Sequence, residues 1–196
     1  MKLVLASKNP KKLRELNDIL SQLGIEVCSQ AEVGVDVDVE ETGTTFEANS
    51  LLKAQAVMEA CGLPAIADDS GLCVDALQGA PGVYSARYGG EGLDDMGRTR
   101  LLLENMRGAG PRTAKFVSVI TCCFPNGDVL CARGECPGTI AFAPMGEGGF
   151  GYDPVFFLPQ LKKTFAQLTP EEKNAISHRG QALKAFQVKL EEYLNK

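Results

Sequence analysis

The sequence has a single histidine, His178, so a zinc centre built on paired histidines is excluded. None of its seven cysteines, Cys28, Cys61, Cys73, Cys122, Cys123, Cys131 and Cys136, stands in Cys-x-x-Cys spacing. Their number is odd and most lie in apolar runs. They read as small buried thiols in a reducing compartment, not as a disulfide framework. No apolar run approaches the roughly 20 residues that span a bilayer. Met1-Lys2 leads into only five apolar or small residues before Lys8-Asn9-Pro10, which lacks the pattern of a secretory leader. The expectation is a cytoplasmic protein without a membrane partner. Long charge runs, low-complexity segments and internal repeats are also missing. A net charge of −5 argues against a non-specific grip on nucleic acid, so no nucleic-acid partner is expected.

What is present centres on Ala65-Ile66-Ala67-Asp68-Asp69-Ser70-Gly71-Leu72-Cys73-Val74-Asp75. The apolar run after Gly62 and Pro64 reads as a buried strand that ends in two adjacent carboxylates. Asp is depleted in strands, and neighbouring carboxylates repel each other. Such a conflict between local preference and position marks a functional site. Clustered carboxylates without a balancing base commonly face a hard cation such as Mg²⁺. The same residues also describe a polar turn between two strands.

Around this stretch, helices and strands alternate. Residues 2–6 form a first strand, and Asn9 with Pro10 predicts a helix start. Leu13, Leu16, Leu20 and Leu23 recur at helical spacing, and Gly24 ends that helix. Ile25–Cys28 reads as a second strand, and residues 30–43 as an acidic irregular segment. Thr44 to Glu47 has capping-box spacing before a helix to about Cys61. A loop with Tyr84, Arg87 and Tyr88 precedes a helix over about Leu93–Met106. Thr113–Phe124 and Val129–Cys136 form a hairpin around Asn126-Gly127. A glycine-rich loop, Gly146–Gly151, leads into the strand Val155–Leu158. Thr169, Pro170 and Glu172 start a C-terminal helical part. At 196 residues, this is an α/β chain with a mixed twisted sheet flanked by helices.

Four further clusters carry possible chemistry. Ser7-x-Asn9-x-x-Lys12 lies where a strand turns into a helix, where exposed N–H groups and the helix dipole favour an anion. It lacks the glycines of a P-loop, and taken alone an ordinary capped helix with a solvated lysine is the better reading. Gly146-Glu147-Gly148-Gly149-Phe150-Gly151 matches G-x-G-x-x-G, but Tyr152-Asp153-Pro154 and a strand follow instead of a helix. Dinucleotide and kinase readings are rejected on that ground; the glycines allow close ligand approach, with Phe150 or Tyr152 as a stacking face. On one straight helix Lys173 and His178 would point about 140° apart. Ser177 and Gly180 instead predict a break, with His178 and Arg179 in the first turn of a new helix, where anions bind. Glu40-Glu41 is a second acidic pair, also readable as a solvated loop.

Together these motifs resemble the inosine triphosphate pyrophosphatase family of Ham1 type, along nearly the whole chain and in motif order. The matching segments are Ser7-x-Asn9-x-x-Lys12, Glu40-Glu41-Thr42-Gly43-x-Thr45-Phe46, Asp68-Asp69-Ser70-Gly71-Leu72, Pro81-Gly82-x-Tyr84-Ser85-Ala86-Arg87-Tyr88, Phe150-Gly151-Tyr152-Asp153-Pro154 and Lys173-x-x-x-Ser177-His178-Arg179. The sequence departs from the family pattern at Asn49-Ser50, where Asn-Ala is more usual.

The resemblance implies Mg²⁺-dependent hydrolysis of ITP, dITP and XTP to monophosphate and pyrophosphate, which cleanses the nucleotide pool. It also implies one elongated domain over residues 1–196, two lobes around a central cleft, and a homodimer. By motif position Ser7, Lys8, Asn9, Pro10, Lys11 and Lys12 would hold the triphosphate, and Ser70 would contact substrate. Phe150, Gly151, Tyr152, Asp153, Lys173, His178 and Arg179 would frame base and phosphates. Asp69, Asp68 and Lys12 would be catalytic, with Glu41, Glu40 and Asp69 on the metal. A carboxylate held directly on a cation is a poor base, so Asp68 and Asp69 would divide the tasks; which takes which is open. Alternatives are a Maf-type pyrophosphatase for other modified nucleotides, or a nucleotide- or RNA-binding module without turnover.

Overall fold

The computed structural model describes residues 1–195. The strand β1 (Lys2–Leu5) leads into the helix α1 (Pro10–Leu20). The start of α1 follows the sequence signal: the Asn9 side chain accepts a hydrogen bond from Lys11 N, and Pro10 opens the first turn. A 3-10 turn, Ser21–Leu23, then ends at Gly24, whose φ of 67° stops the helix. The strand β2 (Glu26–Cys28) pairs parallel to β1. The helix α2 (Phe46–Cys61) starts one residue away from the capping-box spacing. Thr45 is the cap, its hydroxyl accepting from Ala48 N, while Glu47 ion-pairs with Arg133 at 2.6 Å. The unusual Ser50 of α2 is buried and shares a 2.7 Å hydrogen bond with Thr121.

The principal difference from the sequence reading lies in the strand β3 (Ala65–Val74). It continues through Asp68-Asp69-Ser70-Gly71, so the carboxylates stand inside a strand and neither end it nor form a turn. Next come the helix α3 (Asp95–Asn105) and the strands β4 (Thr113–Cys123) and β5 (Val129–Ile140). Asn126-Gly127 turns between these two strands, with Phe124 N on Asp128 O and Gly127 N on Phe124 O. The short strands β6 (Phe156–Leu158) and β7 (Lys163–Thr164) follow. The helices α4 (Pro170–Ile176) and α5 (His178–Leu194) complete the chain, and Thr169 with Glu172 makes the expected capping box. The sheet order is β2-β1-β3-β4-β5-β6-β7. The β1–β2 and β1–β3 pairs are parallel, and β5–β6 and β6–β7 antiparallel. This is the mixed, helix-flanked sheet expected. No helix among the described residues is long and apolar enough to cross a membrane.

Contacts divide the chain into two units. The first holds Met1–Asp69, Ser118–Gly134 and the residues from Ala182 on. Its sheet buries both faces. Leu16 and Leu20 of α1 pack with Ile66, Ile120 and Phe186, while Ala54 and Val57 of α2 pack with Val4, Ala65 and Ala67. The second unit holds Ser70–Val117 and Glu135–Gln181, around a core of Leu72, Leu102, Phe116, Phe156 and Phe165.

Candidate active site

In a strand, successive side chains point to opposite faces. Ile66 faces α1 and Ala65 and Ala67 face α2, so Asp68 falls on the α1 face and Asp69 on the α2 face. Each helix supplies a lysine to meet its carboxylate. Lys12 Nζ of α1 lies 3.4 Å from Asp68 Oδ2, and Lys53 Nζ of α2 lies 2.9 Å from Asp69 Oδ1. Alternation and two cations thus remove the repulsion that makes Asp-Asp unfavourable in a strand.

The backbone explains why both lysines reach this point. Along the β1–β3 pair, Val4 N donates to Pro64 O and Ala6 N to Ile66 O. The next acceptor in that period is Asp68 O, but the chain leaves the sheet at Ser7 to start α1. Lys12 Nζ and Lys53 Nζ both take this carbonyl instead, each at 3.2 Å. The gap in the ladder anchors the two cations.

The environments of the two carboxylates differ. Asp68 is fully buried; Oδ1 accepts from Ser118 Oγ at 3.0 Å and Oδ2 faces Lys12. Asp69 shares Lys53 with Glu41, whose Oε1 lies 2.6 Å from Nζ. Burial pushes the Asp69 carboxyl above its ordinary value, although Lys53 pulls it down. Burial also works against the Lys53 ammonium, but Asp69 and Glu41 outweigh it and hold its pKa above the ordinary lysine value. Asp69 Oδ2 is buried without a hydrogen-bond partner.

The start of α1 opens into a pocket of about 250 Å³ lined by Ser7, Lys8, Lys12, Val39, Glu41 and Lys53, among others. Ser7 Oγ accepts from Asn9 N at 3.2 Å and keeps its proton for a ligand. Asn9 Oδ1 caps the helix, which leaves the amide NH₂ as its donor. Lys8 is turned to Asp36 at 2.8 Å; Pro10 and Lys11 are exposed on the first turn. Glu40 is exposed, and Glu41 alone of that pair reaches the lysine. Asn49, fully buried in α2, accepts from Gly43 N at 2.8 Å and pins the loop that carries Glu41.

The resemblance implies a metal, and the donor set fits a hard cation. Glu41 and Asp69 already present carboxylate oxygens to one shared positive charge, and Asp69 Oδ2 is an available acceptor. Among the described residues no group of three or more His, Cys, Asp or Glu side chains could hold a metal alone. A cation here would complete its shell with water or ligand oxygens.

The second unit assembles the glycine-rich loop with α4 and the first turn of α5. Asp153 Oδ2 accepts from Phe150 N at 2.9 Å and from Lys173 Nζ at 2.6 Å. Glycine suits position 149: its φ is +73°, and an added Cβ would collide with the Asp153 carboxylate. Lys173 Nζ stands 4.7 Å from the Phe150 ring centre and Arg179 Cζ 5.7 Å. Gly151 N donates to Asp95 Oδ2 at 2.9 Å. Of the two aromatic candidates, Phe150 is the half-exposed one. Tyr152 is buried, its hydroxyl donating to Ser85 O at 2.8 Å, so it serves the core and offers no stacking face. The helix break at Ser177 is present, with Gly180 N donating to Ser177 Oγ at 3.1 Å. His178 and Arg179 begin α5, and the His178 ring stacks on Phe116 at 4.7 Å and 13°. Ser70 follows Asp69 on β3 and is half-buried.

Sequence reasoning missed Lys53 and Ser118. Lys53 had a signal: it is the only basic residue of α2, on a helix whose inward positions include Ala54 and Val57. Ser118 had less, as one hydroxyl in the strand Thr113–Cys123.

The model of the Ham1 family matches residues 3–189. A dITP/XTP pyrophosphatase of Exiguobacterium is 48% identical over 190 residues, covering 97% of this chain and 97% of the relative. A dITP/XTP pyrophosphatase of Escherichia coli K12 is 51% identical over 187 residues, covering 93% and 94%. The structure of a HAM1 protein from Coxiella burnetii superposes with a TM-score of 0.92 at 44% identity, over 98% of this chain and 99% of that one.

Proposed function

The chain belongs to the Ham1 family, and from that premise we propose that it hydrolyses ITP, dITP and XTP to the nucleoside monophosphate and pyrophosphate. The observation that carries the reading is the near full-length identity to relatives named dITP/XTP pyrophosphatase, 48% and 51% in the two cases above. The site chemistry agrees with it. Two lysines and a helix N-terminus suit a phosphate chain, and a buried carboxyl beside them suits proton transfer.

Each residue then has a task. Ser7, Asn9 and the first turn of α1, Pro10 and Lys11 included, donate to phosphate oxygens. Lys12 adds charge, and Lys8 joins when it leaves Asp36. Asp69 accepts the proton of the attacking water on Oδ2, while Lys53 on Oδ1 fixes the orientation of the carboxyl. Asp68, held by Ser118, keeps Lys12 aimed. Of the carboxylates that fit a cation, Glu41, with Glu40 alongside, takes Mg²⁺, and Asp69 stays off it and so keeps its basicity. When bound, Mg²⁺ neutralises phosphate charge and acidifies water. Ser70 contacts the substrate. In the second unit, Phe150 offers a ring face, and Gly151, Asp153, Lys173, His178 and Arg179 provide donors, charge and shape for the nucleotide. A homodimer in the cytoplasm completes the proposal; the seven free cysteines fit a reducing compartment.

The test is product analysis with ITP and Mg²⁺. IMP and pyrophosphate are expected, and EDTA should abolish their formation. IDP and orthophosphate as products would overturn the reading.

A further inference from the structure

The second unit carries a pocket that no step above uses. It has a volume of about 750 Å³, and its walls include Arg100, Leu103, Glu104, Arg107, Arg112 and Phe142. That volume lies within the roughly 300–1,000 Å³ range of small-molecule sites. Three guanidinium groups face one carboxylate, so the lining is net cationic in a chain of net charge −5.

The cations are not tied up in the same way. Arg112 is fixed: Nε donates to Ile140 O at 2.7 Å and Nη2 to Ala141 O at 2.9 Å. Its guanidinium carbon lies 4.3 Å from the centre of the Phe142 ring. Phe142 is 85% exposed, so burial does not hold it there. The arginine does, and the ring keeps most of its surface open to a flat partner. Arg100 and Arg107, by contrast, form no ion pair among the described residues, whereas Arg98 pairs with Asp95 and Arg133 with Glu47. An arginine without a carboxylate offers its donor fork to an oxyanion. Between Arg107 and Arg112 runs Gly-Ala-Gly-Pro, and a Cβ added at Gly108 or Gly110 would meet nothing within 4 Å. The loop leaves the space open.

We propose that this pocket is a second nucleotide site, one that takes a nucleoside monophosphate. The phosphate sits on Arg100 and Arg107, and the base lies flat on Phe142. A phosphate monoester carries about −1.5 to −2 at neutral pH, which matches the excess of two arginines over Glu104. The lining places no fixed pattern of donors against a base edge, so the site is tolerant of the base.

The proposal is tested by calorimetric titration of the full chain with AMP, inorganic phosphate and adenosine. The wild type is compared with an Arg100→Gln/Arg107→Gln double variant and with Phe142→Ala. The double variant should weaken both AMP and phosphate by about tenfold or more, since two charge-assisted contacts are lost. Phe142→Ala should weaken AMP and adenosine and leave phosphate unchanged. Thermal melting should show both variants folded, and ITP turnover should stay at the wild-type level. AMP affinity unchanged in the double variant would overturn the proposal. So would a change of sedimentation in that variant without a change in AMP binding, because the pocket would then be a protein contact. Binding is read directly, so the outcome stands apart from whether ITP is the substrate.

Discussion

Asp69 combines burial, one lysine contact on Oδ1 and a buried, unpartnered Oδ2. Asp69→Asn keeps the shape and removes charge and basicity. Turnover of ITP should fall by about 10²–10⁴-fold, the usual worth of a general base, while the substrate dissociation constant changes far less. Turnover within a few-fold of wild type would remove Asp69 from that role. The pH dependence follows from the sign of the shift. Burial raises the carboxyl above its ordinary 3.8, so the folded chain binds more protons than the unfolded one between 3.8 and the raised value. Ionisation of Asp69 therefore takes stability away as pH rises through that window, and the base becomes competent only above it. The acid limb of kcat/KM should lie above 3.8, and a limb at or below it would contradict the assignment. Asp69 was legible as a conflict in the sequence, but Lys53, the residue that resolves it, was not. Only the parity of β3 and the position of α2 bring the two together.

At the scale of elements, the proposed function draws on the turn from β1 into α1 in the first unit and on the loop before β6 in the second. Lys12→Ala removes a cation placed for a phosphate chain. Triphosphate binding should weaken more than monophosphate binding in equilibrium titrations, and equal weakening would show that Lys12 is not on that chain. In the loop, Gly149→Ala forces a Cβ into the Asp153 carboxylate at a φ of +73°. Asp153 must move, and with it Phe150 N and Lys173. The variant should lose about 1–3 kcal/mol of stability, the usual size of such backbone strain, seen as a lower melting temperature, and KM for ITP should rise. An unchanged melting temperature and KM would mean the loop tolerates displacement of Asp153. The caps of α1 and α4 were legible because they are local chemistry within a few residues. The passage of β3 through Asp-Asp was not, because propensity argues against it and only its neighbours override that.

At the scale of the whole molecule, the expected selectivity is for the 6-oxo purines of ITP and XTP over ATP. Hypoxanthine and xanthine present an acceptor at position 6, where adenine presents a donor. Arg179, His178 and backbone N–H groups are donors, and Arg179 and His178 are both 6% exposed. Facing adenine, a donor aimed at position 6 would meet another donor and lose that bond, at about 1–3 kcal/mol. Discrimination of roughly 10²-fold in kcat/KM is expected, as in sites built around a substrate hydrogen bond. The measurement is kcat/KM for ITP, XTP and ATP at saturating Mg²⁺. If ATP came within tenfold of ITP, base selection would be refuted in favour of a general nucleotide pyrophosphatase.

The sequence by itself determined the α/β class, the caps of α1 and α4, the hairpin at Asn126-Gly127, the break at Ser177 and the order of the six family motifs. The motif order rests on resemblance to the family; the others rest on local chemistry or on periodicity, which the chain carries within about one turn or one strand. Tertiary structure alone decided four things: that Asp68 and Asp69 face different helices, that Lys53 bridges Asp69 to Glu41, that Tyr152 belongs to the core, and that His178 stacks on Phe116. Each joins residues far apart in the chain or depends on which face of a strand meets which helix. The physical reason is that alternation sets only the relative direction of neighbouring side chains. The packing of α1 and α2 on the two faces of the sheet sets what they meet.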